Sequence, residues 1–339
     1  MQTGWAKPFE VDRLIQQDER QAMLPRERIV GVDPFPWSAL VRFNSTYADF
    51  IDRRYRLRGM VETSVGIFGG VFMGLLGALL VGFFVADLQE SKEAVVNIIG
   101  IVGMLAITVA SFWAFWHYKL RHDLFTHTHY PIRFNRRTRK VHVFRHNGPD
   151  GVLTVPFDEV FWHVGSGLQH TFLRDVRGHV MDGNRIRDTF TVGHYFDDSQ
   201  PERIAGLWEF IRRYMDEGPE AVAEHPLDRC IDLSMTPSWT NCYLWAAASM
   251  GATFQSLRFV LFFLYYPVVG VLTLGRWLTL NSCKPPRWPA EIEAESQVAA
   301  DDPHRWDEPT TLWEFAKRPG MMERERERMR QLQQAQARL

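Results

Sequence analysis

The sequence predicts a membrane-anchored α+β protein: a two-helix transmembrane hairpin, a cytoplasmic β-domain closed by a helix, a further membrane-associated segment and a charged helical tail. Three observations carry this. Ser64–Ala86 and Ala94–Trp116 are uncharged runs separated only by "DLQESKE", and each is long enough to span a hydrocarbon core of ~30 Å at ~1.5 Å per residue. After the second run the apolar residues fall into short alternating stretches with turn residues between them, the period of strands. Basic residues crowd the outer flanks of both runs, whereas the connector is acidic.

The totals exclude several classes. A net charge of −1 over 339 residues supplies no field for nucleic acid. Three cysteines, Cys230, Cys242 and Cys283, have no CxxC spacing and give neither a disulfide framework nor a zinc motif. The start, "MQTGWAKPFEVDR", lacks the basic and apolar regions of a secretion signal. Residues 1–60 read as a cytoplasmic N-terminal region.

The hairpin occupies 61–117. "RRYRLR" precedes it, and "HYKLRHD" with "RFNRRTRK" follow it, so the positive-inside rule puts both flanks in the cytoplasm and the acidic turn outside. Gly66, Gly70 and Gly74 recur every fourth residue and share a helical face, beside Gly69 and Gly77; the second run offers Gly100, Gly103, Ala106 and Ala110. In lipid, helices associate through close backbone approach, which small residues permit. Gly66, Gly70, Gly74 and Gly103 are therefore candidate packing positions, within one hairpin or between copies in a homo-oligomer.

Residues 124–222 form the β-domain. "PIRFN" puts Ile132 and Phe134 on one face, "RRTRK" turns, and "VHVFR" returns; "VLTVPF", "VFWHV", "TFLRD", "HVMD" and "DTFTVGHYF" read as further strands, with "VRG" and "GNR" as turns. "SQPERIAGLWEFIRRYMDEG" is an amphipathic helix with Ile204, Leu207, Trp208, Ile211 and Met215 on one face. Ser199 and Glu202 make a capping-box pattern, and Gly218 suits the C-terminal cap. About six or seven strands closed by one helix resemble a pleckstrin-homology (PH)-like barrel. Arg136, Arg137, Arg139 and Lys140 are candidate contacts for lipid headgroups or a partner, against the alternative of a solvated turn. His117, His122, His127, His129, His142, His146 and His163 cluster here without cysteine or carboxylate at ligand spacing, so no metal or cofactor is expected.

In 233–281 the uncharged runs Leu233–Leu257 and Phe259–Gly275 flank Arg258. Either Met235–Gly251 and Phe259–Gly275 both cross the membrane, or the region is a re-entrant or interfacial hairpin turning near Pro267; the polar "TPSWTNCYLW" favours the second. Arg258 is a candidate contact residue that must snorkel or find a partner, and Trp277 reads as an interface anchor. Residues 282–339 form a cytoplasmic tail. It carries the proline-fixed Trp288, a further contact candidate, then Glu291, Glu293 and Glu295 on a solvated helix face, and a charged end; Cys283 offers a thiol for probing topology.

"PIRFNRRTRKVHVF" together with "GRWLTLNSCKPPRWPAEIEAE" resembles an uncharacterised family of proteobacterial membrane proteins. Their genes lie beside type VI secretion spike proteins and pore-forming effectors. The resemblance spans residues 30 to 315 and carries over no catalytic residue. It implies interbacterial antagonism at the inner membrane. No GxSxG, HExxH, P-loop, GxGxxG or paired-carboxylate signature is present, so no enzyme is expected. The expected roles are an immunity-type protein that neutralises a membrane-permeabilising toxin, an accessory that loads or positions such an effector, or an oligomeric channel or transporter subunit. The expected partners are membrane lipids and a secreted toxin or secretion component.

Overall fold

The structure is a computed structural model that describes residues 9–90, 94–166, 172–222, 235–250 and 261–305. The chain divides into two compact units. One is drawn from Met1–Arg56, His129–Thr236 and Pro286–Leu339, the other from Leu57–Thr128 and Pro237–Pro285. Helices and antiparallel sheets together make the chain α+β.

The first unit holds two sheets. The four-stranded sheet has the order β1 (Arg13–Leu14), β9 (Arg185–Asp197), β8 (Leu173–Asp182), β7 (Val160–Ser166). The five-stranded sheet runs in chain order through β2 (Leu40–Phe43), β3 (Tyr47–Phe50), β4 (Ile132–Asn135), β5 (Lys140–Phe144) and β6 (Val152–Pro156). The β4–β5 hairpin forms where the alternation places it, pairing Ile132 with Val143 and Asn135 with Lys140 around the Arg136–Arg139 turn.

Three departures from the sequence expectation have physical causes. The β-domain is not confined to 124–222, because β2 and β3, from the chain before the hairpin, join the sheet through pairing of β3 with β4; only a long-range partner reveals such short strands. "VRG" is no turn, since β8 runs unbroken from Leu173 to Asp182. Gly178 lies inside it because a Cβ there would meet the Phe190 ring at 2.6 Å. "GNR" does turn, with Gly183 at φ +57°.

Helix α4 (Pro201–Asp216) closes this unit. Ser199 makes no capping box: its hydroxyl turns to Asp197, and Gln200 precedes a helix that opens on Pro201. A proline at the first helical position has no N–H to satisfy, which removes part of the need for a cap. Gly218 adopts φ +109° and its N–H donates to the Arg213 carbonyl at 3.0 Å, the expected C-terminal stop. The expected apolar face is buried, but so are Phe210, Tyr214, Glu209 and Arg213. The N-terminal segment covers the other side. Trp208 Nε1 donates to the Pro25 carbonyl at 2.7 Å, Glu209 accepts from the Ile29 N–H at 3.0 Å, and Arg213 donates to the Val32 carbonyl at 2.9 Å.

The second unit is helical. It contains α2 (Glu62–Glu90), α3 (Ala94–Tyr118), α5 (Trp239–Ser249) and α6 (Phe262–Ser282). Among the described residues, three helical segments are long and apolar enough to cross a membrane: Tyr55–Ala86, Ile98–His122 and Phe262–Ser282. The first two bury none of their most apolar stretch, the third 39%. The α6 helix passes through Pro267 without turning back, so the expected turn at that residue is not there. Pro267 lies early in the helix, where a missing N–H costs one bond and few turns depend on it. Arg258, Cys230, the start of the 233–281 region and residues 306–339 of the tail lie outside the described residues.

Candidate functional site

Among the described residues, the α2–α3 hairpin exposes a long run of large apolar side chains. Phe68, Phe72, Leu75 and Leu79 on α2 and Ile99, Ile107 and Phe112 on α3 are all more than half exposed. Water would not tolerate such a surface, and a hydrocarbon solvent would. Between the two helices runs an apolar groove of about 940 Å³, lined among others by Gly66, Gly69, Gly70 and Gly74 of α2 and by Phe112 and Trp116 of α3.

The glycines that line it do not share one job. Gly66 is filled: a Cβ there would lie 2.8 Å from the Phe115 ring and 3.0 Å from Leu120. Gly70, Gly74 and, on α3, Gly103 have no atom within 4 Å of where a Cβ would stand. The spacing of four that places Gly66, Gly70 and Gly74 on one face is therefore used for hairpin packing at its lower end only. Above it the face is open.

The base of the hairpin is polar and closed. Arg58 donates to the Asp123 carbonyl at 2.9 Å and to the Thr126 hydroxyl. The Gly59 N–H donates to the Asp123 carboxylate at 3.1 Å. Thr63 and Thr279 share a hydrogen bond of 2.8 Å, and the Cys283 thiol meets the Asp123 carbonyl at 3.2 Å. Cys283 is half-buried in this knot, which makes it a poor thiol for surface labelling. Arg276 is fully buried; it donates to the Arg58 carbonyl at 3.1 Å and lies 5.3 Å from the Trp245 ring centre. The sequence singles out Arg258, not Arg276, as the cation in apolar surroundings. The only sign of the burial of Arg276 was its place in line with Gly275 and Thr279, small residues that let α6 approach α2.

The candidate cations of the β4–β5 turn are engaged within the chain. Arg139 holds Asp158 with two bonds of 2.7 Å and Asp216 at 3.0 Å, and Lys140 reaches both Glu295 oxygens at 2.9 and 3.0 Å. Arg137 donates to the Glu295 carbonyl at 2.7 Å, and Arg136 abuts Gly218. Asp158 is held below the usual carboxylate range, chiefly by the Arg139 hydrogen bonds. The Arg133 guanidinium lies 4.7 Å from the Trp288 ring centre and 3.9 Å from that of Tyr47. Trp277 stands edge-on to Trp239, ring centres 6.2 Å apart.

One group of potential metal ligands gathers among the described residues. Glu19, His163 and His179 offer ligand atoms within 4.8 Å of one another, and all three are buried. The sequence could not foresee this set: Glu19 comes from α1 (Gln17–Gln21), far from the two histidines in the chain, and His179 had not been grouped with the other histidines.

A family model bears on the chain as a whole, matching residues 108–164 and 180–300. The chain belongs to DUF6708, a family of unknown function. No curated protein and no solved structure matches it. The DUF6708 match takes in the end of α3, most of both sheets, α4, α5 and α6. The α2 wall of the groove and Glu19 lie outside it.

Proposed function

We propose that the protein is a non-enzymatic, multi-pass protein of the bacterial inner membrane that binds an apolar helix of another protein within the bilayer. The reading we favour is immunity: capture of the membrane-inserted segment of a permeabilising toxin in type VI secretion-mediated antagonism. The observation that carries it is the open groove, where Gly70 and Gly74 present bare backbone beside Phe112 and Trp116. Lipid-embedded helices bind through such small-residue faces, because the solvent gives no apolar drive to association. The basic flanks and acidic connector support a cytoplasmic location for the sheet-containing unit, with the hairpin turn outside. Two antiparallel sheets closed by α4 support a PH-like scaffold, a fold used more for binding than for catalysis. Engagement of the Arg139 and Lys140 charges by Asp158, Asp216 and Glu295 argues for the groove, rather than the β4–β5 turn, as the contact surface.

The test is co-culture. A strain lacking this gene is grown beside its parent, which carries the neighbouring toxin gene. Immunity predicts that the mutant dies, and that wild-type protein rescues it while a Gly70→Leu, Gly74→Leu variant of equal membrane abundance does not. Survival of the mutant with loss of its ability to intoxicate others identifies an effector accessory instead. Survival with undiminished toxicity removes both.

A further inference from the structure

The N-terminal segment straps the four-stranded sheet from edge to edge. At one end β1 pairs with β9, Arg13 opposite Ile186. At the other, the Leu24 N–H donates to the Trp162 carbonyl at 2.9 Å and the Val164 N–H to the Ala22 carbonyl at 2.9 Å, along β7. Helix α1 crosses between these anchors and directs Glu19 at the sheet. His163 on β7 and His179 on β8 are diagonal neighbours in register, since Phe161 pairs with His179 and His163 with Arg177. Their ring centres are 4.2 Å apart.

The hydrogen bonds around these rings decide where the protons sit. His163 Nδ1 lies 3.2 Å from the Val164 carbonyl oxygen. A carbonyl only accepts, so Nδ1 carries the hydrogen and Nε2 the lone pair. His179 Nδ1 is 2.8 Å from the Thr189 hydroxyl, which can donate or accept; in the tautomer in which it accepts, Nε2 carries a second lone pair. Both Nε2 atoms are buried without a hydrogen-bond partner, and that of His179 faces Glu19 Oε1 at 3.4 Å. A proton between His179 and Glu19 would satisfy those two and still leave His163 Nε2 facing them with none. The opposite side of the carboxylate is taken. Arg13 donates to Oε1 at 2.6 Å and to Oε2 at 2.8 Å, and the Gln16 N–H donates to Oε2 at 2.9 Å.

We propose that Glu19, His163 and His179 bind a divalent transition metal of the zinc type, which clamps the N-terminal strap onto the sheet. Two imidazole nitrogens and one carboxylate oxygen are a donor set suited to zinc, cobalt or nickel rather than to calcium or magnesium. Ligating histidines donate their second N–H to a carbonyl or hydroxyl; the Val164 carbonyl takes that of His163, the Thr189 hydroxyl is placed to take that of His179, and Arg13 with Gln16 fixes the carboxylate from outside. Burial holds His163 at about 3, with the neighbouring His179 adding to the effect, and burial lowers His179 as well. Burial thus favours the neutral form of each ring. Burial raises the carboxylate, but hydrogen bonds from Arg13 and the Gln16 N–H outweigh this and lower it.

The full chain is purified in detergent, stripped with chelator and titrated with Co²⁺ and Zn²⁺. One metal ion binds per chain, the cobalt form shows d–d absorption of a nitrogen/oxygen site, and zinc slows hydrogen exchange in peptides covering Arg13–Leu24. His163→Ala and His179→Ala each abolish the cobalt bands. Lack of both the bands and the protection in the wild-type chain overturns the proposal. So do bands that persist in the double variant, because the metal then lies elsewhere. Should the variants fail to fold, the wild-type cobalt spectrum and the localisation of zinc-dependent protection to Arg13–Leu24 still decide it.

Discussion

The sheet-containing unit and the helical hairpin are opposite solutions to the same chemistry. The first hides charge: Arg133, Arg177, Asp49 and Asp175 are each at most 2% exposed. The second displays what a soluble fold would hide, with Phe72 65% and Leu79 73% exposed. Polar groups are buried where partners have been built for them, and apolar groups are exposed on helices long and apolar enough to cross a membrane. The difference teaches that burial alone does not mark the core of this chain. What marks it is whether each group finds a partner of its own kind.

The largest effect expected from breaking that arrangement is at Asp49. Its carboxylate takes two bonds from Arg133, 2.8 and 2.9 Å, while the Tyr47 and Trp288 rings pack against the guanidinium. Asp49→Ala leaves a buried cation without its main counter-charge and should cost ~3–5 kcal/mol in thermal or denaturant unfolding. Adding Arg133→Met removes the stranded charge and should recover most of the loss. Failure of the second substitution to recover it would show that the pair serves the fold through its hydrogen bonds rather than its charge balance.

The same contrast explains how much could be read in advance. The hairpin was legible because its signal is local: a run of uncharged residues needs no knowledge of distant partners. The β4–β5 hairpin was legible for the same reason, through alternation around "RRTRK". Strands β2 and β3 were not, because four residues each of Leu40–Phe43 and Tyr47–Phe50 acquire meaning only on pairing with β4, across the whole length of the hairpin. Arg133 sits in a strand with every residue buried. The outward side of the alternation is covered by Trp288, another long-range partner. The Glu19–His163–His179 set is the extreme case, assembled from three elements that no spacing rule connects. Of the groove, the sequence showed the glycine face but not that its lower end is filled and its upper part open.

That last distinction sharpens the comparison within the hairpin at a smaller energy. Gly66→Leu forces a side chain into Phe115 and Leu120 and should cost ~1–3 kcal/mol of stability in detergent, from overpacking. Gly70→Leu and Gly74→Leu project into open space and should stay within ~0.5 kcal/mol of wild type, while losing capture of the partner helix. Equal destabilisation at all three positions would mean that the whole face is used inside the hairpin, which removes the surface on which the proposed function rests.

The smallest effect concerns the hidden polar groups again, now through pH. His142 donates or accepts at Nδ1 with the Thr154 hydroxyl, 2.9 Å away, and its ring lies beside Trp288. Burial lowers it to about 4, with Glu295 opposing the shift. The unfolded chain therefore binds a proton near pH 6.5 that the folded chain refuses until about pH 4. Stability from this residue is complete above pH 6.5, falls as the pH drops toward 4 and falls no further below, a loss of about 1 kcal/mol at pH 5.5. His142→Gln keeps a partner for Thr154 and cannot titrate, so its stability should change less between pH 6.5 and 4 than that of wild type. Other buried histidines keep part of the slope in both proteins, so the informative quantity is the difference between the two curves. An unchanged difference across that range would mean that His142 reaches water in the folded chain, and that this unit hides its polar groups less completely than the burial of Arg133 and Asp49 suggests.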